Sequence, residues 1–64
     1  MFNKDNTISI ELHHKQGKDY TKVKLQDLWS YNSEEYNVQN TDLEEHISKL
    51  RAMYPKTQLV EFVL

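Results

Sequence analysis

Sixty-four residues without a cysteine exclude a disulfide scaffold and a thiolate metal site. Chains this short bury only about 60% of their unfolded surface, so one domain over residues 1–64 is expected, marginal in stability as a monomer. The formal charge of −2 hides an asymmetry: Asp27 to Ser48 carries six acids and no Lys or Arg, while the rest of the chain is net +4.

The chain opens on a polar segment, Met1-Phe2-Asn3-Lys4-Asp5-Asn6, which does not resemble a signal peptide. Residues 7–14 alternate, with Ile8, Ile10 and Leu12 against Ser9, Glu11 and His13. Period-two alternation predicts a half-buried strand. Lys15-Gln16-Gly17-Lys18-Asp19 holds the only glycine, and residues 20–25 alternate again, so the two runs predict a β-hairpin.

Residues 26–40 allow more than one structure. Leu25, Leu28, Trp29 and Asn32 can share one side of a short helix, or Lys24 to Trp29 can prolong the second strand. Ser33 to Asn40 is polar, and a long, partly ordered loop is the preferred reading. Trp29 is expected in the core, with an interface anchor as the alternative; Tyr31 and Tyr36 are expected to be exposed.

Thr41 with Glu44 forms a capping-box pattern, and Leu43, Ile47, Leu50 and Tyr54 recur as one helical stripe. Pro55 disfavours helical geometry at Tyr54, which should end the helix. Thr57 to Leu64 predicts a final strand with Val60, Phe62 and Leu64 on one face and Leu59 and Val63 on the other. A strand apolar on both faces needs cover on both. The helix supplies one cover and a second copy of the chain the other, so Leu59 and Val63 are the expected dimer interface. The fold class is α+β: a three-stranded antiparallel sheet with one helix packed on it, in the order β-β-α-β.

No glycine-rich phosphate loop, G-x-S-x-G or H-E-x-x-H motif occurs, and enzymatic activity is not expected. His13 and His14 are adjacent on a strand and point to opposite faces, which argues against a shared metal ion. No cofactor is implied. Lys4, Lys15, Lys18, Lys22 and Lys24 supply charge near the hairpin, but nucleic-acid binders are usually net basic, so direct binding is not expected. No apolar run approaches the roughly 20 residues that span a bilayer.

The hairpin from Ile8 to Tyr20, with its Gly-Lys-x-Tyr exit, and the run from Thr41-Asp42-Leu43-Glu44 to the apolar C-terminal strand resemble the small uracil-DNA glycosylase inhibitors of Bacillus phages. Those inhibitors share the β-β-α-β order and act as dimers that mimic DNA. The resemblance implies a host-cell cytoplasmic inhibitor whose partner is the host glycosylase. Glu44, with Glu34 and Glu35, would stand for phosphates; Leu43, Ile47, Trp29, Tyr31 and Tyr36 would line an apolar pocket. The chain departs from the family in a longer 26–40 segment and in Ile47, where the family has a tyrosine. The residues by themselves leave two alternatives: an inhibitor of another host nucleic-acid enzyme or defence complex, and a dimeric assembly module without a host target.

Overall fold

The computed structural model describes residues 2–63. The chain is α+β, as expected, but its sheet has four strands and is mixed. In chain order the elements are β1 (Ile8–His14), β2 (Tyr20–Asp27), β3 (Ser33–Gln39), a 3-10 turn (Asn40–Asp42), α1 (Leu43–Met53) and β4 (Thr57–Val63). The strand order is β3-β2-β1-β4. β1 and β3 each pair antiparallel with β2, whereas β4 pairs parallel with β1. The expectation of three antiparallel strands is corrected on both counts.

The β1–β2 hairpin follows from its alternation. Ile10 lies opposite Leu25 and Leu12 opposite Val23, so both strands turn their apolar sides to one face. Ile8, Ile10, Leu12 and Val23 are fully buried there, and Phe2, Leu25, Leu50 and Tyr54 complete the core. Fully burying one such aliphatic side chain is worth about 1.5–3 kcal/mol. At the hairpin turn Gly17 sits at φ +79° with open space around the position a Cβ would take. Backbone conformation rather than crowding therefore favours glycine there.

β3 replaces the loop expected over residues 33–40. Its sequence, Ser-Glu-Glu-Tyr-Asn-Val-Gln, gives only Tyr36 and Val38 to the core side, where they pack against the cluster half-buried. β3 and β4 both run parallel to β1, at opposite edges of the sheet. Parallel strands cannot be joined by a tight turn. Residues 40–56 therefore cross the core face as a helix, laying Leu43, Ile47 and Leu50 over it.

The helix begins differently from the capping-box expectation. Thr41 lies in the 3-10 turn, α1 starts at Leu43, and neither Gln39 nor Asp42 makes a side-chain cap. Asn40 fixes this corner instead. Its backbone N–H donates to the Asp19 carbonyl at 2.8 Å, its side-chain carbonyl accepts from the buried Thr21 hydroxyl at 2.6 Å, and its amide donates to the Lys18 carbonyl at 3.2 Å. The helix ends as expected: Tyr54 is extended (φ −126°, ψ 99°), as a residue before proline should be. The Tyr54 ring then meets Phe2 edge-on, closing the core at that end.

Candidate protein-binding surface

The turn between β2 and β3 is built on Asp27. Buried to within 1% of full enclosure, its carboxylate accepts from the Asn6 side-chain amide at 3.0 and 3.2 Å and from the backbone N–H of Trp29 and Ser30 at 2.8 and 3.2 Å. Burial pushes its pKa up, and the bonds from Asn6, Trp29 and Ser30 more than reverse that, leaving the carboxyl below its usual range. The Asp27 N–H donates to the Asn32 carbonyl while the Asp27 carbonyl accepts from Tyr31. Two residues thus oppose one, the pattern of a bulge whose first residue is left-handed and usually glycine. Here that residue is Tyr31, at φ +64°.

This anchored turn presents its large side chains to solvent. Trp29 is 76% exposed and Tyr31 82%. The expected core position of Trp29 is corrected. The core is filled by the sheet and by Phe2, Leu50 and Tyr54, and the local hydrogen bonds of Asp27 turn residues 28–31 outward. Tyr31 is exposed as expected. Tyr36 is not: it is half-buried between β3 and α1, and its hydroxyl bonds His46 Nε2. Burial, then Glu34 and Tyr54, raise the Tyr36 pKa above its ordinary value.

β3 continues from this turn and carries Glu34 and Glu35, both exposed, and the 3-10 turn and first turn of α1 add Asp42, Glu44 and Glu45, also exposed. The turn, strand and helix start follow one edge of the sheet, a flank with aromatics at one end. Glu34 lies on its helix side, as do the acids of the helix start, while Glu35 projects to the open face beside Lys22. The charge of this flank is partly neutralised. Glu35 meets Lys22 at 3.0 Å, and that bond and charge lower the Glu35 pKa. Glu45 meets Lys49 at 3.6 Å. Among the described residues Glu34, Asp42 and Glu44 have no basic partner within salt-bridge range. Of the six acids counted in the sequence, Asp27 serves the turn, two are paired and three stand open.

Leu43 and Ile47, expected to line a pocket for a partner, are half-buried against the protein's own core. A groove of about 420 Å³ does lie on this flank, between β3 and α1, lined by Asn37, Val38, Asp42, Glu45, His46 and Lys49 among others. Sequence reasoning missed it because β3 was not recognised. It also counted Asp27 as a surface charge, although an Asp at the end of a strand before a turn is a recognisable local hydrogen-bond acceptor.

The other edge of the sheet is apolar. The expected assignment of faces is corrected: Leu59 and Val63 share the helix side of β4, opposite Ile10 and His14 of β1, while Val60 and Phe62 lie on the open face, because the parallel register sets Leu59 beside the buried Ile10. All four are exposed, Val63 most of all at 82%. Phe62 stacks on His13 with centroids 4.7 Å apart, and His13 bonds Glu11 at 3.1 Å. His14 lies on the opposite face beside Thr21 and Glu61.

Among the described residues no group of three His, Asp or Glu is arranged to hold a metal ion. Among the described residues no helix is long and apolar enough to cross a membrane. Comparison with protein-family models, with curated proteins and with solved structures gives no match to this chain.

Proposed function

We propose that this chain is a small inhibitor protein that mimics DNA and blocks the basic DNA-binding groove of a host uracil-DNA glycosylase. The observation that carries the mimicry is the flank running from exposed Trp29 and Tyr31 through Glu34 to Asp42 and Glu44. A seven-residue strand spans roughly 20 Å, comparable to the rise of about six base pairs. Open carboxylates at its two ends, Glu34 at the start and Asp42 and Glu44 just beyond the finish, with aromatic rings beside the first, offer an enzyme groove what a duplex offers: negative charge next to stackable surface. The choice of glycosylase rests on the family resemblance of the hairpin and the 41–64 run. The site of action is then the host-cell cytoplasm.

In this reading Glu34, Glu35 and Glu44 stand for phosphates, while Trp29 and Tyr31 make the apolar contact. Leu43, Ile47 and Tyr36 support the flank from beneath. Opposite charge speeds encounter and buried apolar contact sets residence time. A uracil-excision assay with a bacterial glycosylase should show stoichiometric inhibition, weakened by Glu34→Lys with Glu44→Lys. In stopped flow, added salt should slow association more than it speeds release. No inhibition by the folded chain at excess would reject this target. Capture of another nucleic-acid enzyme or defence complex from host lysate would then favour the alternative inhibitor.

The exposed apolar edge of β4 favours a second reading, a homodimer joined through Leu59 and Val63. As part of an inhibitor it would bring two acidic flanks into one particle. As an assembly module alone it predicts no host partner and no effect of the Glu→Lys changes.

A further inference from the structure

β3 is an edge strand, and half of its backbone faces no neighbour. Two hydrogen bonds determine which half. Asn40 N–H donates to the Asp19 carbonyl at 2.8 Å, and Asp27 N–H donates to the Asn32 carbonyl at 2.9 Å. Both pairs continue the register that sets Thr21 opposite Val38 and Val23 opposite Tyr36. Antiparallel ladders alternate bonded and unbonded pairs. Glu34, Tyr36 and Val38 therefore turn their amides to β2, while Ser33, Glu35, Asn37 and Gln39 turn theirs to the open edge.

Natural edges are commonly blocked by Lys, Pro or a bulge. β3 carries no Lys and no Pro. Its only charges, Glu34 and Glu35, sit at its start and repel an acidic rather than a basic neighbour, and beyond the bulge at Tyr31 its paired register runs without interruption from Ser33 to Gln39. Beside its open row lies the groove of about 420 Å³ whose far wall is α1, with Asp42 and Glu45 among its lining residues. A strand edge alongside a helix-walled groove is the arrangement by which a sheet accepts an extended peptide, main-chain bonds giving affinity and alternate side chains specificity.

We infer that the β3 edge is a docking site for an extended basic segment of a partner protein, added as a fifth strand, with one Lys or Arg side chain directed to Asp42, unpaired among the described residues, and another displacing Lys49 from its exposed pair with Glu45. Charge selects this occupant. Glu34 and Asp42 are unpaired among the described residues, and the Lys22 partner of Glu35 lies on β2. A second copy's β4 is a poor occupant, since its only charged residue, Glu61, has the same sign as the groove acids. The site lies on the flank of the proposed inhibitor surface but is independent of which enzyme that surface meets.

The test uses the full chain and a fluorescent eight-residue peptide alternating lysine and valine, followed by anisotropy at low salt. Saturable binding is expected. Methylating the peptide backbone nitrogens that face β3 should weaken it about tenfold or more, as should replacing the lysines with glutamates. Asn37→Pro, which removes an outward N–H and leaves the β2 bonds intact, should act like the methylated peptide while circular dichroism stays unchanged. Equal binding of the methylated or acidic peptide, or no binding at all, would overturn the inference. So would concentration-dependent growth of oligomers abolished by Asn37→Pro, which would assign the edge to a second copy. The methylated peptide leaves the protein unaltered, so misfolding cannot imitate the expected result. The readout contains no glycosylase, so failure here leaves the inhibitory reading untouched, and the reverse also holds.

Discussion

The Tyr36 hydroxyl and His46 Nε2 are hydrogen-bonded across the gap between β3 and α1, with the rings edge to face and centroids 5.2 Å apart. This bond ties the outermost strand, which has few apolar residues of its own, to the helix that covers the core.

Tyr36→Phe keeps the ring packing and removes the tie. A loss of about 1 kcal/mol is expected in urea unfolding, typical of one side-chain hydrogen bond. The folded chain holds the Tyr36 proton to higher pH than the unfolded chain does. Stability should therefore fall as pH rises above the ordinary tyrosine value, and that alkaline loss should shrink in Tyr36→Phe. Ultraviolet titration of the phenolates should lose its late step in the same variant.

Asp27 has the opposite sign. Its pKa is lowered in the folded chain, so the stability it contributes is present above the usual carboxylate value and is lost as pH falls through that value and below it. Thermal melts between neutral pH and the acid range should show a drop that Asp27→Ala removes. At neutral pH Asp27→Ala leaves the Asn6 amide and the Trp29 and Ser30 N–H groups without their acceptor. The melting temperature should fall by roughly 5–10 °C.

Tyr31 occupies a left-handed position that glycine fills without steric cost. Tyr31→Gly relieves that cost while adding freedom to the unfolded chain, so stability should change by less than about 1 kcal/mol. The side chain that glycine removes is 82% exposed. Partner affinity should therefore fall while stability holds. A parallel loss of both would show that the ring serves the fold.

Leu59→Lys with Val63→Lys tests the β4 edge. Both side chains are exposed, so the double variant should stay folded. Sedimentation should find the parent chain dimeric and the variant monomeric. A parent chain that remains monomeric at all concentrations would remove the homodimer.

The strands of the hairpin, the apolar stripe of α1 and its stop before Pro55 were legible because each is written in local periodicity. β3 was not, since an edge strand with one half-buried face needs only Tyr36 and Val38 as apolar residues, and its pairing with β2 comes from the partner. The direction of β4 was hidden for a related reason. Alternation reveals a strand but not whether its neighbour runs with or against it. The exposed acids were legible as composition; their pairing with Lys22 and Lys49, and the withdrawal of Asp27 into the turn, depend on the three-dimensional register. Trp29 was misplaced because size and apolarity suggest burial, whereas the short bonds to Asp27 fix where the turn points.

The parallel pairing of β1 with β4 also sets a clock. β1 reaches β2 across the 15–19 turn, but Ile8 meets Thr57 only after nearly the whole chain between them has been placed. Closing so long a loop costs entropy before any ladder bond repays it, and non-local pairing slows folding. The hairpin can form early; the sheet cannot be completed until α1 has crossed it. Until then the outer edge of β1 stays unpaired, and the arrival of β4 governs how long a newly made chain remains vulnerable to aggregation.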